Sequence, residues 1–131
     1  MNQVEDLVLG KMIYDYGWRK TEVIEGEEYI IIAKAYKNDN INDNHRELYT
    51  YLKDNFSEIK IKIEKKLKVY VKNNYNTEYK EQLFFNKRIM IDKREKEIGF
   101  IYDTSLDVEN GVGIKLINNE ISEIGFQNIA L

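Results

Sequence analysis

At 131 residues the chain is the size of one domain, by the usual span of roughly 100–200 residues. Its 43% hydrophobic and 12% aromatic content argues for a buried core and against disorder. With no cysteine it excludes a disulfide scaffold, thiol nucleophiles and cysteine-held zinc or iron–sulfur centres. The net charge of −3 hides a segregated pattern. Residues 1–59 carry 7 basic and 12 acidic side chains, residues 60–96 carry 12 and 5, and residues 97–131 carry 1 and 6. Residues 1–10 lack the basic and apolar regions of a secretion signal, and the longest apolar run, 29–33, is far short of the ~20 residues that span a bilayer. The expectation is a cytoplasmic protein with no membrane partner.

The elements follow in chain order. Residues 8–14 (VLGKMIY) and 18–24 (WRKTEVI) read as strands joined by a turn at Asp15-Tyr16-Gly17, where glycine supplies positive φ. After a turn at Glu25-Gly26-Glu27, residues 28–36 (EYIIIAKAY) form a third strand. Its run of Ile30, Ile31 and Ile32 suits a central strand covered on both faces. The Asn- and Asp-rich stretch 37–44 is a turn-forming connection, and Asn44 three residues before Glu47 resembles a weak capping box that opens a helix.

Residues 59–63 (IKIKI) alternate like a strand, but the wider window predicts a helix. Leu48, Tyr49, Leu52, Phe56, Ile59, Ile63, Leu67 and Tyr70 fall on one helical stripe, with Ile61 opposite. Buried at about 1.5–3 kcal/mol each, these side chains outweigh what a short strand could bury. The helical region spans about 44–73, as one long helix or as two near-collinear helices broken near Asn55 and restarting at Ser57. Strands return at 87–92, 98–103, 112–117 and 121–126, with a hairpin turn at Asn118-Asn119. The expected fold is a single α+β domain over 1–131: a twisted, antiparallel sheet of about six to seven strands packed on amphipathic helix.

The chemical constellations are weak. His45, the only histidine, lies at the expected helix start in a solvated stretch, where a surface or capping role outranks catalysis, and one imidazole makes no His-based zinc site. Asp103, Ser105, Asp107 and Glu109 alternate like calcium ligands, but Val108 and Ile114 stand where an EF-hand loop needs Gly and Glu. Paired carboxylates are unspecific in a chain with 23 acidic residues. Gly111-Val112-Gly113 lacks the rest of a phosphate cradle and reads as room for a bulge or close packing. Lys60, Lys62, Lys65, Lys68 and Lys72 lie mostly opposite the apolar stripe, as a solvated face does, so a nucleic-acid partner is not expected. No metal, cofactor or catalytic set emerges. The ten tyrosines remain, a residue type favoured at protein interfaces.

The segments Gly99–Asp103 (GFIYD), Leu106-Asp107-x-Glu109-x-Gly111-x-Gly113-Ile114 and Glu123-Ile124-Gly125-x-Gln127-x-Ile129 resemble a family of uncharacterised bacterial domains of unknown function. Looser likeness covers Gly17-Trp18 and the helix from Asn44 to Tyr70. The family usually has Trp where this chain has Leu106. The resemblance implies an α+β domain of antiparallel strands and helix, carries over no catalytic residue, and suggests by association a link to toxin–immunity loci.

The expected function is therefore a non-catalytic protein-binding module, in its sharpest form an immunity protein that neutralises a toxin or another neighbouring gene product. Expected contact residues are Tyr102, Asp103, Asp107 and Glu109, as an acidic patch steering toward a basic partner, with Tyr16 and Trp18. The alternatives are a small hydrolase-type enzyme using carboxylates and tyrosines, and a domain that self-associates through exposed strand edges.

Overall fold

The structure, a computed structural model, describes residues 2–92 and 96–131. An eight-stranded sheet is laid out in chain order: β1 (Gln3–Asp6), β2 (Gly10–Tyr14), β3 (Trp18–Ile24), β4 (Glu27–Ala33), β5 (Phe84–Ile91), β6 (Glu97–Thr104), β7 (Val112–Ile117) and β8 (Glu120–Gly125). Two helices, α1 (Asp43–Asp54) and α2 (Phe56–Tyr75), are inserted between β4 and β5. The α+β class and the central place of β4 match the sequence reading, and the described residues form eight strands where about six to seven are expected.

The sheet is not wholly antiparallel, because β4 and β5 run parallel, with Ile31 opposite Ile89 and Ala33 opposite Ile91. A chain that leaves one end of β4, runs through two helices and re-enters at the other end must make a parallel pair. β1 was not anticipated: of its four residues QVED only Val4 is apolar, so no alternation marks it.

Alternation along the strands sorts side chains onto two faces. The helix-covered face carries Trp18, Tyr29, Ile31, Ala33, Ile89, Ile91, Ile98, Phe100, Tyr102, Val112, Ile114 and Leu116, all buried. Against them α1 and α2 set Leu48, Tyr49, Leu52, Phe56, Ile59, Ile63, Leu67 and Val71. Ile61 faces solvent as expected, and Tyr70 is only half-buried.

The helix breaks at Asn55, giving two helices. Backbone bonds still run through the break, from Asn55 N–H to the Tyr51 carbonyl and from Ile59 N–H to the Asn55 carbonyl. α1 begins at Asp43, earlier than a cap at Asn44 would place it. Asn42 is the N-cap, and it forms a reciprocal box with His45. His45 does cap, but it is fully buried instead of solvated: Asn42 N–H donates to its Nδ1, and its Nε2 lies 2.9 Å from the Lys34 carbonyl.

A polar pin fastens α1 to the sheet. Glu22 on β3 takes hydrogen bonds from Lys20, Lys53 and the Tyr49 hydroxyl. Burial alone would raise its carboxyl, but these donors outweigh burial and hold it at about 2.

On the opposite face a 3-10 turn, Gln127–Ala130, lies across β6 and β7. It fits because Gly99 and Gly113 have no side chain. A Cβ on Gly99 would stand 2.4 Å from the Ala130 carbonyl oxygen, and one on Gly113 2.8 Å from that of Phe126. Close packing is what the sequence reading expected of Gly113.

Candidate protein-binding groove

The six residues nominated from sequence do not form one site. Strand register puts Tyr16 and Trp18 beside the Ala33 and Ile91 ends of β4 and β5, and Asp103 near Phe84 at the other end of the sheet. Two of the six are not at the surface. Trp18 is 4% exposed and Tyr102 6%. Trp18 stacks edge-on with Tyr14 at 5.3 Å and donates its indole N–H to the Asp39 carbonyl at 2.8 Å. Tyr102 packs edge-on against Phe84. Each projects from a strand onto the helix-covered face, which the nomination by neighbouring charge and aromaticity did not weigh.

The acidic patch is also smaller than its sequence suggests. Asp103 is held by Arg88 at 2.8 Å, by Gln127 at 2.6 Å and by Asn86 at 2.8 Å. Burial opposes ionisation there, yet the three donors keep its pKa below the ordinary aspartate value. Asp107 closes a turn by accepting from the Asn110 backbone N–H at 3.2 Å. Glu109 is exposed. The motif residues Gly99, Asp103, Gly111, Gly113 and Gln127 converge on the C-terminal turn, where Gln127 bonds the Tyr102 carbonyl and fills the space a Gly111 side chain would need. That part of the pattern builds structure.

Tyr16 is different. It is 92% exposed, with φ 57, in the β2–β3 turn just before Gly17. An aromatic residue in left-handed backbone costs about 1–2 kcal/mol relative to its usual conformations, and in water it recovers nothing by packing. Its neighbours make a surface groove of about 710 Å³ along Asn2, Val4, Asp15, Lys37, Asn38 and Asn40. A second depression of about 360 Å³ adjoins it and shares Tyr14, Tyr16 and Lys37. Tyr36, 73% exposed, lines that second wall.

The groove is rigidly framed. The Tyr14 hydroxyl donates to the Ala35 carbonyl at 3.0 Å, and Asp39 bonds Tyr36 backbone to backbone at 3.0 Å. Of the ten tyrosines, Tyr16 and Tyr36 alone are exposed, and both line the adjoining depression, which meets the groove at Tyr16. The sequence pattern places Tyr36 at the end of a strand, 28–36. β4 stops at Ala33, and the Asn- and Asp-rich stretch that follows was the signal that Tyr36 belongs to a loop.

A dense cluster of ionisable side chains lies at the opposite end. Glu27 accepts from Tyr29 at 2.9 Å and Lys87 at 3.0 Å, with Lys60 at 3.6 Å, and it hydrogen-bonds Glu81. Burial pushes Glu27 up, but these bonds hold it at about 2, while the neighbouring Glu27 carboxylate raises Glu81. Tyr79 and Tyr102 border the same crevice, and burial raises both phenols, that of Tyr79 to about 12. Its free space is about 20 Å³, room for one water and for no sugar ring or peptide.

Among the described residues no group of three His, Asp or Glu side chains is arranged to hold a metal ion, and no helix is long and apolar enough to cross a membrane. Lys65, Lys68 and Lys72 lie on the solvated side of α2. Neither a family model nor a curated protein nor a solved structure matches the chain.

Proposed function

We propose that this chain is a non-catalytic protein-binding module that seats a segment of its partner in the groove at the β2–β3 turn, with Tyr16 and Tyr36 as aromatic anchors. The observation that carries the reading is Tyr16. It is a large side chain held in water, in a backbone conformation that favours glycine, at the rim of a concave surface. Neither local conformation nor packing selects tyrosine there, whereas an interface does, because tyrosine contributes large contact area at low entropic cost.

The finer form is an immunity protein that neutralises the product of a neighbouring gene. Its support is the acidic loop around Asp107 and Glu109, which can steer a basic partner; the resemblance of the C-terminal segments suggests it by association alone. The carboxylate–tyrosine enzyme reading has less support, since the crevice that joins Glu27, Glu81, Tyr29 and Tyr79 is closed to substrates.

The test is a photo-crosslinking residue placed at position 16, with position 69, exposed on the solvated side of α2, as the control. The expected result is one predominant crosslinked protein from position 16 only. For that partner, Tyr16→Ala should weaken binding about 30-fold or more, the scale of a hot-spot residue. Equal labelling from both positions, or an affinity unchanged by Tyr16→Ala and Tyr36→Ala together, overturns the groove. Coexpression with the neighbouring gene tests the immunity form separately, by rescue of growth.

A further inference from the structure

A second concavity, unrelated to the tyrosine groove, lies between α1 and the Asn118-Asn119 end of the β7–β8 hairpin. Its volume is about 350 Å³, at the small-ligand end of the usual range. Leu48, Ile98 and Leu116, all buried, form an apolar floor. Glu47 and Lys96 stand on its wall with opposite charges, so the site favours neither sign.

Two of its lining residues each carry an orphaned polar atom. The Tyr51 hydroxyl and the Asn119 side-chain oxygen are shielded from bulk water and have no hydrogen-bond partner. A buried polar group left without a partner is destabilising, and native structures hold few of them. The walls that carry them are nonetheless fixed. Lys62 on α2 donates to the Asn119 carbonyl at 2.9 Å, and the Asn118 N–H bonds the Lys96 carbonyl at 3.3 Å. Asn118 and Asn119, at φ 49 and 66, form the left-handed pair that a tight hairpin turn requires. The terminal torsion of an asparagine amide is soft, so a small rotation presents Asn119 to an occupant without moving the turn.

We propose that this cavity binds a small uncharged amphipathic molecule, a ring compound bearing an amide-like donor and acceptor. The ring covers Leu48, Ile98 and Leu116, its N–H donates to the Asn119 side-chain oxygen, and its carbonyl accepts from the Tyr51 hydroxyl. Burial keeps that phenol above its ordinary pKa, so it retains the proton it donates.

The experiment uses benzamide as the probe and methyl benzoate, which lacks the donor, as the control, each titrated into the full chain and followed by amide chemical shifts. Benzamide is expected to give saturable shifts confined to residues 47–51, 98 and 116–119, with methyl benzoate about tenfold weaker or more. Tyr51→Phe and Asn119→Gly, the latter keeping the left-handed backbone, should each weaken benzamide about tenfold while the spectrum stays folded. Equal affinity for the two probes, shifts elsewhere or none that saturate, or a high-resolution structure in which ordered water alone joins Tyr51 to Asn119 in the presence of benzamide, would overturn the proposal.

Discussion

The two ends of the sheet use the same residue type to opposite effect. At the end formed by Tyr14, Trp18 and Ala33, Tyr16 and Tyr36 stand in water beside a groove. At the other end Tyr29, Tyr79 and Tyr102 turn inward around Glu27, and the crevice between them is nearly full. Tyrosine buries well only where its hydroxyl finds a partner or an edge, and the inner end supplies one to Tyr29 through Glu27. The outer end offers Tyr16 no such partner, so its ring is free for another molecule. The inner end serves stability, and the outer end is where the proposed recognition would take place.

Substitutions at the two ends should separate these roles. The largest effect belongs to Tyr102→Ala, which empties a fully enclosed aromatic site and should cost about 3–5 kcal/mol in denaturant unfolding. A loss below about 1 kcal/mol would mean that the inner end is not the structural one. Next comes Glu27→Gln, expected to cost about 2 kcal/mol at neutral pH as Lys87 and Lys60 lose their counter-charge.

The pH dependence of that second variant has a definite sign. The folded-state pKa of Glu27 lies at about 2, below its ordinary 4.5. The stabilisation is therefore complete above 4.5 and is lost as pH falls toward 2, so the gap between wild type and Glu27→Gln should close over that window. A gap constant from pH 7 to pH 2 would remove the charge explanation.

The smallest effect should come from the outer end, and with the opposite sign. Tyr16→Gly relieves the left-handed backbone and should raise stability by up to about 1 kcal/mol, net of glycine's own unfolded-state entropy, while abolishing partner binding. Tyr16→Ala should change stability by less than about 0.5 kcal/mol. Thermal unfolding of the pair, beside a binding assay, sharpens the contrast: a strong destabilisation at position 16 would make Tyr16 a structural residue after all.

Much of the fold was legible because its signals are local. The turns at Gly17 and Gly26, the stripe from Leu48 to Leu67 with Ile61 outside it, and the Asn118-Asn119 hairpin each sit within a few residues of the elements they define. The parallel pairing of β4 with β5 was not legible, because it depends on where two helices deliver the chain. β1 escaped because an edge strand of four residues needs little apolar content. His45 was placed correctly at a cap but wrongly in solvent, since the Lys34 carbonyl that receives its ring comes from the end of β4.

The site was harder to read. Tyr16 could be found, as an aromatic residue in a turn. Tyr102 and Trp18 are more buried than their sequence context suggests, although Trp18 still lines the groove, because part of their cover comes from distant segments: the Asp39 carbonyl over Trp18 and Phe84 beside Tyr102. The Glu27–Glu81 pair joins residues from opposite sides of the helical insertion, so no motif could announce it.

Among the described strands the one parallel seam, between β4 and β5, divides the sheet into two four-stranded antiparallel halves. Strand pairing within each half closes short loops, whereas joining the halves requires ordering some fifty intervening residues. The rate-limiting event in folding should accordingly be the docking of two preassembled halves under the helical bridge. Substitutions at Ile31 and Ile89 would then slow refolding, while those at the outer hairpins would chiefly hasten unfolding.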